Sequence, residues 1–374
     1  MQHVLGLFLF LLSLTVHAAA PQPPAVIGKA WMVGDLSSGQ VLASQKSDER
    51  FEPASLTKLM TAYVIFKALR EKKLSLEQQV SVSPRAWKVS GARMFIEPRR
   101  PVTVDELIRG MVVQSGNDAC IALAEALGGS EDVFVQMMNR EAARLGMKNS
   151  KFMNATGLPD AQQYSTAQDL YLLAAALIRD FPNEYAQYYS QKEYRYNNIS
   201  QPNRNRLLWT DPSVDGVKTG HTEAAGYCLI ASSRRGGRRM LSVLLGSTSE
   251  ATRAQESLKL LNWGYQFFDS VKLYAGGSPV KSIDVWKGAA RSVNVGVGSD
   301  LFVTVPKGEA EKLKAELISE QPLVAPLAKG QRVGVLRVTH DAKPFAEYPL
   351  IALEPVAQAG FFGRTWDTLR LWLK

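Results

Sequence analysis

Ser55 and Lys58 lie three residues apart in Pro53-Ala54-Ser55-Leu56-Thr57-Lys58, at the head of an apolar segment containing Leu59, Met60, Tyr63, Val64 and Phe66. The spacing predicts a buried amphipathic helix to about residue 69. Lys58 then sits one turn beyond Ser55 on the same face. A buried ammonium is costly to keep charged, so its pKa should fall. A neutral amine there could take the Ser55 hydroxyl proton and leave a nucleophile. Backbone N–H groups at a helix N-terminus also suit an oxyanion. Taken alone, the pair also reads as an ordinary helix cap. The same pattern recurs at Ser278-Pro279-Val280-Lys281, where Pro279 and Gly276-Gly277 predict a turn instead.

Two later groups bear on the choice. Ser115-Gly116-Asn117 falls between two predicted helices, where a loop could turn a hydroxyl and an amide toward a shared cleft, or be a plain loop. Lys218-Thr219-Gly220 ends a strand-like run. There Lys218 could hold an anion and Thr219 hydrogen-bond it. Gly220 could leave room for a substrate backbone alongside the strand. The bland reading is a strand end with a turn. Histidine is scarce: His3 and His17 fall in the first twenty residues, leaving His221 and His340. The chain has no His-Glu-x-x-His, Cys-x-x-Cys or Gly-x-Ser-x-Gly. A zinc or Ser-His-Asp hydrolase is therefore poorly supplied, and lysine is the better candidate base. No metal or organic cofactor is implied.

The elements that must hold these groups follow from periodicity. Residues 30–33 and 40–43 flank a turn and predict a hairpin. Helices are predicted over 104–113, 118–127, 131–145 and 166–178, with 77–101 mixed and loop-like. Strands are predicted at 214–218, 226–231 and 240–245, then a helix over 253–268. Helices flanked by strands able to form one antiparallel sheet give an α/β (α+β) sandwich. Composition shifts near Ala275-Gly276-Gly277-Ser278-Pro279, and the short runs beyond it predict a small all-β C-terminal domain. The expected division is a catalytic domain over 21–275, the β-domain over 276–357 and a terminal amphipathic helix over 358–374.

The chain has 374 residues, 46% hydrophobic and 21% charged, values of a globular protein with room for about two domains. Its net charge of +9 suits an anionic wall or membrane surface and does not require nucleic acid; the run Arg234-Arg235-Gly236-Gly237-Arg238-Arg239 reads as a hairpin tip. Residues 1–20 read as a secretory signal: an apolar run from Val4 to Val16, then Ala18-Ala19-Ala20. Cys120 and Cys228 read as two small buried residues without a bond. In the last fifteen residues Phe362, Trp366, Leu369 and Leu373 share one helical face, and Gly363, Asp367, Arg370 and Lys374 another. That predicts a helix lying in a membrane's headgroup layer, too short and too charged to span it.

Ser-x-x-Lys, Ser-x-Asn and Lys-Thr-Gly in this order mark penicillin-binding proteins and active-site-serine β-lactamases. The chain resembles the low-molecular-mass penicillin-binding proteins, the serine-type D-alanyl-D-alanine carboxypeptidases. The resemblance runs through Pro53 to Thr61, Gln114 to Cys120, Asn203 to Trp209 and Asp215 to Thr222, and Gly116 is the residue this subfamily usually carries. It implies the penicillin-binding-protein/β-lactamase sandwich and release of the terminal D-alanine from peptidoglycan pentapeptide. It also implies β-lactam antibiotics as ligands. Ser55 would be the nucleophile, Lys58 the base and Ser115 the proton relay. Asn117 would bind the acyl side, and Lys218, Thr219 and Gly220 would lie by the substrate carboxylate. The backbone N–H groups of Ser55 and His221 would form the oxyanion hole, and Arg253 would help bind the terminal carboxylate. The C-terminal helix would attach the enzyme to inner-membrane lipid on the periplasmic side. Two alternatives remain: a β-lactamase, for which residues 154–164 lack the deacylating glutamate, and a non-catalytic penicillin-sensing or wall-binding module.

Overall fold

A computed structural model describes residues 21–372; the expected signal segment, Leu373 and Lys374 lie outside the described residues. Along the chain, β1 (Ala30–Asp35) and β2 (Gln40–Gln45) form the expected hairpin. A 3-10 turn over Ala54–Thr57 leads into α1 (Lys58–Arg70). Residues 77–101 carry more order than predicted: β3 (Gln79–Val80) precedes α2 (Pro84–Lys88) and pairs with β4 (Val102–Thr103). The helices α3 (Val104–Val113), α4 (Asn117–Gly128), α5 (Glu131–Arg144) and α6 (Ala167–Asp180) follow the sequence reading closely. Three of these starts are chemically marked: Thr103 and Glu106 form a reciprocal capping box, and Ser130 and Thr166 accept from the amides of Val133 and Asp169.

Beyond α6 the sequence reading also lacks α7 (Pro182–Tyr188) and the hairpin of β5 (Glu193–Tyr196) and β6 (Ile199–Pro202). The hairpin turns on Asn197-Asn198, both at positive φ, the backbone a tight two-residue hairpin demands. After α8 (Leu207–Thr210) come β7 (Val214–Thr222), β8 (Gly226–Arg235), β9 (Arg238–Ser247) and α9 (Glu250–Phe267).

The five-stranded antiparallel sheet has the order β2-β1-β9-β8-β7, so β7 lies at an edge. Alternate residues serve two cores. Met32, Ile230, Leu241 and Val243 face the helical mass with α1 and α6, while Trp31, Val33 and Leu244 pack on Leu260 and Trp263 of α9. Covered on both faces, these strands read as nearly continuous apolar runs. The α1 expectation needs one correction: every residue from Lys58 to Phe66 is buried, so the helix is central rather than amphipathic. Leu59, Met60, Ile65 and Phe66 are fully buried, each worth roughly 1.5–3 kcal/mol. Together they offset the cost of holding one lysine amine out of water.

Beyond α9, β10 (Phe268–Tyr274) pairs with β13 (Leu301–Pro306), which carries the second unit's strand pairing back to Phe268. Neither Gly nor Pro separates Phe267 from Phe268, so the helix-to-strand switch had no punctuation in the sequence. A second sheet joins β11 (Lys281–Asp284), β12 (Ser292–Gly296), β14 (Leu313–Ser319), β15 (Arg332–His340) and β16 (Lys343–Ala352) in the order β11-β12-β16-β15-β14. Its core holds Val293, Val295, Val333 and Leu350. The seam to the first sheet is polar. Gln40 exchanges two hydrogen bonds with the Thr304 backbone, at 2.6 and 3.0 Å. Buried Asp35 accepts from Thr304 Oγ1 at 3.0 Å and Arg238 Nε at 2.6 Å. The chain ends in α10 (Phe361–Trp372). Among the described residues no helix is long and apolar enough to cross a membrane.

Candidate active site

Ser55 is half-buried in the 3-10 turn, not in α1 itself, and Lys58 is the first residue of α1. Lys58 Nζ donates to Ser55 Oγ at 3.0 Å, Asn117 Oδ1 at 2.8 Å and the Thr156 carbonyl at 2.5 Å. An ammonium has three N–H donors, and these acceptors match them. Burial lowers the Lys58 pKa to about 8, with Arg204 adding repulsion and Cys120 and Asp118 opposing the shift. The amine is therefore near half-neutral at mildly alkaline pH and touches the hydroxyl it would deprotonate. The turn is tightly seated: Ala54 has φ +48°, and a Cβ on Gly157 would meet the Ala54 carbonyl oxygen at 1.8 Å.

Ser115 and Asn117 come from the junction of α3 and α4. Ser115 is buried at φ +65°, and its Oγ has no hydrogen-bond partner among the described residues. A buried hydroxyl without a partner costs free energy and is expected where a reacting group will supply one. Asn117 differs from expectation. Its Oδ1 holds Lys58 and its Nδ2 donates to the Ser90 carbonyl at 2.8 Å. Each end of the amide makes one bond inside the protein, so Asn117 orients the lysine while its second Nδ2 N–H is left for a further acceptor. Asp118 braces the same junction by accepting from the amides of Met94, Phe95 and Ile96.

The third motif lies on the sheet-edge strand β7. Lys218 and Thr219 are buried, and Lys218 Nζ donates to the Thr219 carbonyl at 3.1 Å. Burial, then the nearby Lys58 and Arg204 charges, hold the Lys218 amine well below the usual lysine range. Gly220 has a packing task that the sequence did not signal. A Cβ there would press on Leu56, the Pro53 carbonyl and Ala54 at 3.2–3.3 Å. The missing side chain lets β7 approach the serine turn. The His221 imidazole is exposed and packs on Tyr227, ring centroids 4.1 Å apart. Arg253 is buried on α9, lies 5.6 Å above the Tyr227 ring and donates to the Arg204 carbonyl at 3.4 Å.

Arg204 acts electrostatically on Lys58, Lys218 and Arg253, and Lys218 also feels Lys58 and Arg253, so four basic groups gather at one cleft. Arg204 is exposed at its rim and was not singled out as a site residue, although it stands in the Asn203-Arg204-Asn205-Arg206 run. Thr156 was also missed: it acts through its carbonyl, and side-chain chemistry gives no signal for that. Cys120 and Cys228 are both free and buried, as expected; burial pushes their thiols up to about 12 and about 11. Among the described residues no cluster of three or more His, Cys, Asp or Glu could hold a metal. The arrangement can deprotonate a serine, receive an anion and supply a second hydroxyl to a leaving group.

The family model described as D-alanyl-D-alanine carboxypeptidase matches residues 17–249, and that of the penicillin-binding protein 5 C-terminal domain matches residues 268–358. The chain is 44% identical over 370 residues to D-alanyl-D-alanine carboxypeptidase DacC of Escherichia coli strain K12, covering 96% of this chain and 92% of that relative. A crystal structure of penicillin binding protein 5 from Haemophilus influenzae superposes with a TM-score of 0.86 at 39% identity, covering 90% of this chain and all of that one. The ampicillin-bound form of penicillin-binding protein D2 from Listeria monocytogenes superposes with a TM-score of 0.60 at 31% identity, covering 66% of this chain and all of that one.

Proposed function

Because the chain belongs to the D-alanyl-D-alanine carboxypeptidase family, we propose that it removes the terminal D-alanine from peptidoglycan pentapeptide through an acyl-enzyme on Ser55. The observation that carries this reading is the 3.0 Å contact between the buried Lys58 amine and the Ser55 hydroxyl. Neutral Lys58 takes the Ser55 proton as Oγ attacks the carbonyl of the penultimate residue. The backbone N–H groups of Ser55 and His221 receive the oxyanion. Ser115 passes a proton to the departing D-alanine amine, and water then hydrolyses the ester. The substrate's free carboxylate settles against Lys218, Thr219 and Arg253, where an arriving anion favours the charged form of Lys218. Chromatography of D-alanine released from a pentapeptide tests the reading; no release from the folded protein refutes it. Labelled penicillin separates the alternatives: retained label fits a carboxypeptidase, rapid loss a β-lactamase and no label a binding module.

Recognition of a chain end gives a sharper test. Arg253→Ala should raise the KM for a peptide acid about tenfold, the value of one lost charge-assisted hydrogen bond of roughly 1.5 kcal/mol. The corresponding C-terminal amide should be little affected. Equal losses on both would remove Arg253 from carboxylate binding.

The terminal helix supports attachment to the periplasmic face of the inner membrane by a protein exported through the signal over residues 1–20. Phe361, Phe362, Trp366, Leu369 and Trp372 are 55–87% exposed. The other face meets the β-domain: Asp367 Oδ2 accepts from the Lys287 amide at 2.7 Å, and Arg370 lies 5.6 Å over the Trp286 ring. That turns the aromatic face outward, with Arg370 exposed beside it. Large aromatics on an outward face suit the headgroup layer. Deleting residues 360–374 should release active, soluble enzyme from membrane pellets. Equal sedimentation of intact and truncated protein would count against the anchor.

A further inference from the structure

We propose that Glu131 and Asn154 are positioning residues that fix the Thr156–Gly157 peptide so that its carbonyl takes the third hydrogen bond of Lys58. The proposal rests on the acyl-serine reading, since it concerns how that base is held. Thr156 C=O and Gly157 N–H belong to one planar peptide unit, so fixing one end aims the other. Asn154 Oδ1 accepts from Gly157 N at 2.7 Å, from Thr156 Oγ1 at 2.9 Å and from Thr156 N at 3.2 Å. Its Nδ2 donates to the Leu158 carbonyl at 3.0 Å. The preceding residue is clamped from both sides: Ala155 N–H donates to Glu131 Oε1 at 2.9 Å, and the Ala155 carbonyl accepts from Thr61 Oγ1 at 2.7 Å.

Glu131 is buried at the first turn of α5, and its second oxygen pairs with Arg85 of α2. A buried carboxylate with a specific backbone target and a matching cation is a built feature rather than a solvated surface charge. After burial, the charges acting most strongly on Lys58 are those of Cys120, Arg204 and Asp118. The hydrogen-bonded route from Glu131 to the amine runs through the loop, by way of Ala155 N–H and the Thr156 carbonyl, and a neutral side chain with the same acceptor should suffice.

The test follows second-order acylation by labelled penicillin across pH, with the noncovalent dissociation constant and the maximal acylation rate resolved separately. Wild-type labelling on Ser55 in the same assay checks the underlying reading independently. Glu131→Ala and Asn154→Leu free the peptide, and Lys58 loses an acceptor that favours its charged form. The maximal rate should fall about tenfold, as expected when a catalytic group is misplaced by a fraction of an ångström. The midpoint of the rate's rise should move to lower pH, and the dissociation constant should stay within about twofold, since uniform binding is untouched. Glu131→Gln retains the acceptor for Ala155 N–H and should restore both rate and midpoint. Thermal unfolding identifies variants that fold, and the Glu131→Gln and Asn154→Leu comparison stands even if Glu131→Ala does not. An unmoved midpoint, a loss confined to the dissociation constant, or Glu131→Gln as impaired as the variants lacking the acceptor would overturn the proposal.

Discussion

Ser55→Ala is expected to abolish both penicillin labelling and D-alanine release while leaving the protein folded. The substitution removes the hydroxyl proposed to form the ester and little else. Ser55 Oγ accepts one hydrogen bond, from Lys58, and a net bond of that kind is worth about 1–2 kcal/mol. Lys58 keeps Asn117 and Thr156 as acceptors. The turn is held meanwhile by backbone and by the apolar burial of Ala54 and Leu56. Thermal unfolding should therefore shift by only a few degrees, the scale of about 1 kcal/mol in a domain of this size. A penicillin adduct located by mass spectrometry on any other residue would sink the assignment, as would measurable turnover in the variant.

The parts of this arrangement legible in the sequence are those encoded by side chains at short spacing. Lys58 three residues beyond Ser55, in an apolar run, gave both the contact and the direction of the lysine's pKa. Helix boundaries near Thr103, Ser130 and Thr166 were readable because their caps are local chemistry. What escaped was long-range or carried by backbone. Thr156 reaches Lys58 through its carbonyl from 98 residues away. Gly220 looked like a vacancy for a ligand, because the sequence does not say that Pro53 and Ala54 fill that space. The sequence likewise gave no sign that Asn117 holds Lys58 with its oxygen and the Ser90 carbonyl with its nitrogen. Strand β10 was hidden for a local reason: its first residue continues the aromatic pair that ends α9, and no turn residue divides them.

The second large effect concerns the base. Lys58→Arg preserves a positive charge and hydrogen-bond donors but removes any group able to accept a proton, because guanidinium stays protonated throughout the accessible pH range. General-base catalysis contributes about 10²–10⁴-fold, so acylation by penicillin should fall by roughly 10³-fold or more. Noncovalent binding should change far less. The site is closed and its three acceptors are spaced for an ammonium, so the larger side chain should also cost about 1–3 kcal/mol of stability. Wild-type acylation supplies the matching pH signature. On the proposed mechanism the active form of Lys58 is neutral, and its pKa is lowered to about 8. The rate should therefore climb as pH rises through that value, level off above it and fall about tenfold per unit well below it. Stability follows the same group. Its folded pKa lies below its unfolded value, so the unfolded chain binds more protons between about pH 8 and 10.5, and the Lys58 contribution to stability rises with pH across that window. In Lys58→Arg the climb in rate near pH 8 should vanish along with the rate itself. Near-normal acylation by that variant, or a surviving climb at the same pH, would assign the base to another residue.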